Sequence, residues 1–260
     1  MRTFHKYSGA GNTFFIFDDR KGDFPLPSIP RLCRPETGEE TDGVIFWRSS
    51  HIGDAQMAYY NADGSIGEMC GNGLRCFVHF LHDQGLVQAS YSIEVFGKLL
   101  KVKGNPPTIW THLGKAEVLF WDLSLSDRTV YVVDTGVLHA VIFAQGPVDV
   151  VQEGMALRNA KVFEPRGVNV NFVWIQSRDR LEVRTYERGV ERETLACGTG
   201  VAASVFVAHR LGKVEKRTSV EVRSGARLEV ELDDGIHLCG PTEKIGEGQL
   251  EICTSFRKKI

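Results

Sequence analysis

The sequence predicts an α/β (α+β) protein of two pseudo-symmetric domains, each a β-sheet or barrel wrapped around one central helix. Two observations carry this expectation. Much of the chain reads as short β-branched and aromatic runs broken by Gly, Pro and Asp. Two apolar helical segments also stand at comparable places in the two halves, each opened by the same turn: Cys70-Gly-Asn-Gly73 and Cys197-Gly-Thr-Gly200.

The strand candidates are Thr13-Phe-Phe-Ile-Phe17, Val44-Ile-Phe-Trp47, Gln56-Met-Ala-Tyr-Tyr60, Val130-Tyr-Val-Val133, Ala140-Val-Ile-Phe143 and Ser219-Val-Glu-Val-Arg223. Several alternate apolar and polar residues, as a half-buried strand does. In the first helical segment Leu74, Phe77, Val78 and Leu81 form one stripe, and Gly85 stands where a stop is needed. The second, Val201–Ala208, is apolar almost all round and ends near Gly212, which marks a buried helix. Lys103-Gly-Asn-Pro-Pro107, near the middle, is a loop signal.

A chain of 260 residues with 42% hydrophobic and 25% charged residues is long and apolar enough for two modest folded domains. The formal charge of −2 gives no attraction to nucleic acid or to an anionic membrane, and the basic tip Arg257-Lys258-Lys259 reads as a solvated end. The N-terminal residues show no leader pattern, and no run approaches the roughly 18 apolar residues of a membrane span. Cytoplasmic residence is therefore expected. Six cysteines without a Cys-x-x-Cys pair indicate reduced thiols rather than disulfides or structural zinc, and no metal is expected.

The paired turns carry the chemistry. A thiol has a pKa of about 8.5, close to neutrality, and a helix start stabilises its thiolate through unsatisfied N–H groups and the helix dipole. The dipole effect reaches up to ~2 kcal/mol, against about 1.4 kcal/mol for one pKa unit. Glycines let backbone N–H groups approach a bound carboxylate, whose α-carbon then lies beside the sulfur. Two such sites on one ligand suit proton abstraction from one face of the carbon and delivery to the other, with no cofactor.

Each cysteine taken singly is also compatible with a small buried hydrophobe. The stretch Gly198-Thr-Gly-Val-Ala-Ala203 fits a G-x-G-x-x-A nucleotide turn, but the charged Glu187–Glu193 precedes it where a buried strand is required. A Cys/His hydrolase using His139 as base would leave the second Cys-Gly-x-Gly turn unexplained.

Tyr60-Asn-Ala-Asp-Gly-Ser65, the two cysteine turns, Tyr186-Glu-Arg-Gly189 and the opening Ser8-Gly-Ala-Gly-Asn-Thr-Phe14 together resemble the diaminopimelate epimerase family. The cysteine turns alone are shared with relatives similar to proline and hydroxyproline racemases. The resemblance runs from about residue 5 to the C-terminus. It implies domains at 1–112 and 113–245, a final strand at 246–260 returning to the first, and an active site in the cleft between domains. It implies interconversion of LL- and meso-diaminopimelate, in the lysine and peptidoglycan pathway, without pyridoxal phosphate or metal. The partner it implies is the small amino-acid substrate, with a homodimer as the assembly.

Position by position, the resemblance makes Cys70 and Cys197 the two acid/base thiols. Asn12, Asn61 and Asn169 would hydrogen-bond the substrate, and Gly71-Asn72 and Gly198-Thr199 would present helix-start N–H groups to its α-carboxylate. Glu187 and Arg188 would bind its charged ends, with Glu187 also near a thiol; His139 would help set thiol protonation.

The chain departs from the family pattern at several points. Val137 stands for a ligand-facing Asn, and Thr37–Gly43 carries Glu40, Thr41 and Gly43 at altered positions. The link from Gly189 to Cys197 is one residue longer, and Gly246 takes the place of an aromatic residue of the dimer contact. These changes touch recognition rather than the thiols. Two other readings follow: a related racemase of altered or relaxed specificity, for glutamate or a proline-like substrate, and a binding protein that kept the cleft and lost turnover.

Overall fold

A computed structural model describes residues 1–34, 40–67 and 70–250. Residues 37–39 of the altered segment, residues 251–260 of the expected final strand, and Cys253 lie outside the described residues. The first compact unit takes in Met1–Thr111 and the strand Thr242–Leu250; the second covers His112–Pro241.

The first unit begins with β1 (Arg2–Gly9), β2 (Asn12–Asp18), the short helix α1 (Ile29–Cys33), β3 (Gly43–Arg48) and β4 (Ala55–Asn61). Helix α2 (Gly71–Asp83) follows, then β5 (Ser90–Val95), β6 (Lys98–Lys103) and β7 (Trp110–His112), whose last residue already belongs to the second unit. The second unit runs through β8 (Glu117–Leu125), β9 (Arg128–Asp134), β10 (Leu138–Phe143), α3 (Val150–Arg158), β11 (Asn169–Ser177), β12 (Arg180–Glu187) and the two-residue β13 (Arg192–Glu193). Helix α4 (Gly198–Arg210) precedes β14 (Arg217–Val222), β15 (Arg227–Leu232) and β16 (Ile236–Cys239), and β17 is Thr242–Leu250.

The two halves repeat one topology. Strands of the first unit pair in the series β17-β1-β2-β3-β4-β5-β6-β7, those of the second in the series β8-β9-β10-β11-β12-β14-β15-β16. In both series the third and fifth pairings are parallel and the rest antiparallel: β2/β3 and β4/β5 in one, β10/β11 and β12/β14 in the other. A parallel pair requires a crossover. Helices α1 and α3 lie in the first crossover of each half, α2 and α4 in the second. Each cysteine turn therefore opens the crossover helix at the same step of the repeated topology, as the fold class read from the sequence requires.

Strand β2 shows why its apolar run is continuous. Phe14 and Ile16 enter the cluster around α2, with Phe77, Phe80 and Leu81, whereas Phe15 and Phe17 enter the cluster around α1, with Phe24 and Phe46. A strand buried on both faces has no polar face to alternate with. In the second unit β10 and β11 divide similarly: Ala140, Ile142, Val170 and Phe172 join the α3-side cluster. His139, Asn169 and Asn171 have the opposite parity, and His139 pairs in register with Asn169. Period-two geometry thus puts three polar side chains on one face of two parallel strands. No helix among the described residues is long and apolar enough to cross a membrane.

Candidate active site

At the first turn, Cys70 is the N-cap of α2: its extended backbone (φ −138°, ψ 104°) ends the preceding chain, and its sulfur accepts the Gly73 N–H at 3.3 Å. Gly73 has little room, since a Cβ there would lie 3.2 Å from Ile45 Cδ1. Asn72 is buried and donates through Nδ2 to Asn12 Oδ1 at 2.7 Å, while the fully buried Arg75 donates to its Oδ1. The turn side chain is held from both ends. Asn61 behaves differently, donating to Ser65 Oγ at 3.0 Å within its own loop.

At the second turn, Cys197 caps α4 in a similar backbone conformation (φ −120°, ψ 104°), but its sulfur makes no cap hydrogen bond. Its sulfur lies 3.6 Å from Thr199 Oγ1 instead. Thr199 Oγ1 in turn lies 3.0 Å from His139 Nε2, and His139 Nδ1 lies 3.1 Å from Asn171 Nδ2. The two turns match in sequence pattern yet differ in what the sulfur meets.

The direction of this chain of bonds follows from its far end. Asn171 Nδ2 donates to Ala140 O at 3.0 Å, and Asn171 Oδ1 accepts from the Thr185 hydroxyl at 2.9 Å. The amide nitrogen therefore faces His139 Nδ1, which accepts, so Nε2 carries the imidazole proton and donates to Thr199. The Thr199 hydroxyl is left with its own proton for the Cys197 sulfur. Burial, with the charge of Arg188, pushes the His139 pKa down to about 3, so the ring stays neutral and keeps that tautomer.

A neutral buried histidine has a consequence for stability. The unfolded chain takes up a proton on His139 near pH 6.5 and the folded chain does so only near pH 3. Stability is therefore full above about pH 6.5 and falls as pH drops toward 3. The loss reaches about 2 kcal/mol by pH 5, at about 1.4 kcal/mol per unit. Urea unfolding at pH 7 and pH 5 is expected to show a loss of stability on acidification that is smaller in His139→Gln than in the wild type by about this amount. Thr199 gives a second prediction. Thr199→Val deletes only the hydroxyl, and a hydrogen bond to a charged group is worth ~1.5–3 kcal/mol, so turnover is expected to fall roughly 10- to 100-fold. Thr199→Ser, which keeps the hydroxyl, is expected to restore it.

Asn169, Glu187 and Arg188 lie in the second unit, and Asn169 pairs in register with His139. Asn169 accepts the Arg188 N–H at 2.8 Å and donates to Leu138 O at 3.2 Å, so it joins β10 to the end of β12. The Arg188 guanidinium reaches the carbonyls of Arg166 and Gly167. Burial raises the Glu187 carboxyl above its ordinary range. The longer link to Cys197 is pinned by Glu193, which is almost fully buried and takes Arg184 Nε at 2.6 Å and Arg223 Nη1 at 3.0 Å.

Asn171, Thr185 and Arg75 were not singled out in the sequence. The signal for Asn171 was available: in Val168-Asn-Val-Asn-Phe172 both asparagines alternate with apolar residues and must share a face. Cys76, six residues past Cys70, is fully buried, and burial pushes its thiol far above the ordinary range, so it stays protonated. The five described cysteines form no disulfide.

Comparison with known proteins identifies relatives over almost the whole chain. The family model described as diaminopimelate epimerase matches residues 4–119 and 131–245. The diaminopimelate epimerase of Chlorobaculum tepidum is 39% identical over 94% of this chain and 100% of its own. That of Aquifex aeolicus is 34% identical over 95% and 97% of the two chains. Among solved structures, a phenazine biosynthesis protein of the PhzF family from Bacillus anthracis superposes with a TM-score of 0.73 at 16% identity, covering 96% of this chain and 99% of its own. A hydroxyproline epimerase from Agrobacterium vitis gives 0.72 at 15% identity, covering 95% and 93%. At these identities the structures show the shared fold alone.

Proposed function

The chain belongs to the diaminopimelate epimerase family, and from that premise we propose that it interconverts LL- and meso-diaminopimelate through Cys70 and Cys197. One thiolate removes the α-proton, the other thiol protonates the opposite face, and the two exchange protonation states on turnover. The observation that supports this most is the repeated topology, which sets each Cys-Gly-x-Gly turn at the start of the same crossover helix. The N–H groups of Gly71, Asn72, Gly198 and Thr199 are the carboxylate donors of the proposal, as helix starts free of acidic residues. Asn12, Asn61, Asn169, Glu187 and Arg188 serve substrate recognition, and His139 acts on Cys197 through Thr199.

No cofactor takes part in this scheme. The enzyme is an isomerase acting on a small amino acid, and the proposal places it in the cytoplasm at the lysine and peptidoglycan precursor branch. A homodimer is also part of it, to be read by light scattering. Open space surrounds Gly246, where the family's contact residue is aromatic, so the interface loses that side chain.

Relaxed specificity rests on Val137, which is half-buried at the turn before β10 and brings no amide to the ligand. A panel of LL-diaminopimelate, glutamate, proline and hydroxyproline, followed by α-hydrogen exchange in D₂O, tests both readings. Exchange with diaminopimelate is the expected result. Exchange confined to it rejects relaxed specificity, and exchange with the others but not with diaminopimelate rejects the proposal.

A further inference from the structure

Away from the cysteine turns, the second unit gathers two imidazoles and a carboxylate at one end of β16. His112 is the last residue of β7, while Asp234 and His237 flank the start of β16. The main chain brings them together: Leu113 N–H donates to Ile236 O at 2.8 Å and Ile236 N–H donates to Gly114 O at 2.7 Å. This exchange sets the His112 and His237 rings against each other, centroids 4.7 Å apart and planes tilted by 33°. Asp234 Oδ1 lies 2.7 Å from His237 Nε2. Gly235 makes the approach feasible, because a Cβ there would stand 2.5 Å from His112 Nε2.

We propose that His112, Asp234 and His237 form a binding site for a divalent transition-metal ion of the zinc class. One ligand atom from each residue lies within 4.8 Å of the other two. Zinc bonds of about 2.0–2.2 Å in tetrahedral geometry set ligand atoms roughly 3.3–3.6 Å apart, so small side-chain rotations close the site. Two imidazoles with one carboxylate is a donor set suited to zinc, cobalt or nickel and poorly suited to magnesium or calcium. Asp234 is 76% exposed on its side chain, which leaves room for a water molecule as fourth ligand.

Asp234 faces both imidazoles, so the three donors converge on one point. The site bears on the fold near Cys197 rather than on proton transfer. The residue after His237 is Leu238, and a Cβ on Gly198 would lie 2.9 Å from its Cδ2, so β16 packs directly beneath the Cys197 turn. The ion braces that strand against the chain leaving β7.

Titration of the ¹⁵N-histidine-labelled protein with Zn²⁺, in a phosphine reductant, tests the site. Two of the eight histidine ring systems are expected to shift together and saturate at one ion per chain. His112→Gln and His237→Gln are each expected to abolish the coupled shift, and Asp234→Asn, at an exposed position, to weaken binding at least tenfold. Zinc is also expected to raise the melting temperature of the wild type and not of His237→Gln. Ring signals unmoved by excess Zn²⁺, or Asp234→Asn binding as tightly as the wild type, would overturn the site. Zinc held by the thiols instead leaves those two rings unshifted in both wild type and variants, and so counts against it.

Discussion

Cys70→Ala and Cys197→Ala are each expected to reduce epimerisation by about 10²–10⁴-fold, the contribution typical of a positioned acid or base. Both losses follow from the same requirement: inversion needs a group on each face of the α-carbon, and neither thiol can stand in for the other. Cys70→Ala also gives up the N-cap bond that its sulfur takes from Gly73, and Cys197 is buried at 9% exposed, so the folded fraction of each variant is measured beside its rate. Cys76→Ala gives the contrast. Its thiol is fully buried within the cluster around α2, and a Cβ on Gly9 would lie 2.8 Å from its sulfur. That variant is expected to lose stability through the cavity it leaves while its folded fraction turns over normally. Melting curves together with initial rates separate the two outcomes.

Gly200→Ala is expected to damage both fold and activity. By helix propensity alone, alanine in the first turn of α4 should stabilise the protein by up to about 1 kcal/mol. The surroundings reverse the sign. A Cβ on Gly200 would overlap the Asn171 carboxamide, most severely at its Oδ1, and lie 3.3 Å from His139 Cε1. Asn171 cannot turn aside without giving up its bonds to Thr185, His139 and the Ala140 carbonyl, all inside the protein. Overpacking costs roughly 1–3 kcal/mol, and each broken buried hydrogen bond about 1–3 more. A net destabilisation of about 2–4 kcal/mol is expected from denaturant unfolding, with at least tenfold lower turnover as Thr199 loses its imidazole partner. A stabilised variant with full activity would show that the Asn171–His139–Thr199 chain does not matter to the Cys197 turn.

What the sequence disclosed was local, and what it hid was held together over long separations. The helices behind Cys70 and Cys197 were legible because stripe, turn and stop all lie within one short stretch, with Gly85 and Gly212 at φ +86° and +69° beyond their ends. Helix α3 was not legible. Its interior Gly154 contradicts helical propensity and is explained only by Tyr186, whose Cβ leaves no space for another side chain there. The polar chain behind Cys197 draws on β10, β11, β12 and α4, and no spacing rule relates Thr185 to His139. Glu193 likewise read as one charge in a polar link, since its partner Arg184 comes from β12, before α4, and Arg223 from the turn just past β14, after it. The repeated strand order required the pairing itself: β17 holds in the first unit the place that β8 holds in the second.

The two-thiol scheme is tested most directly by where deuterium appears at early times in D₂O. Starting from LL-diaminopimelate, the meso product formed in the first few per cent of reaction is expected to carry solvent deuterium at the inverted carbon. The unreacted LL-isomer is expected to keep its protium, because the group that removes a proton is not the one that delivers the next. Deuterium appearing equally in the recovered LL-isomer, or meso product retaining the substrate's own proton, would contradict two separate bases and leave one residue serving both faces.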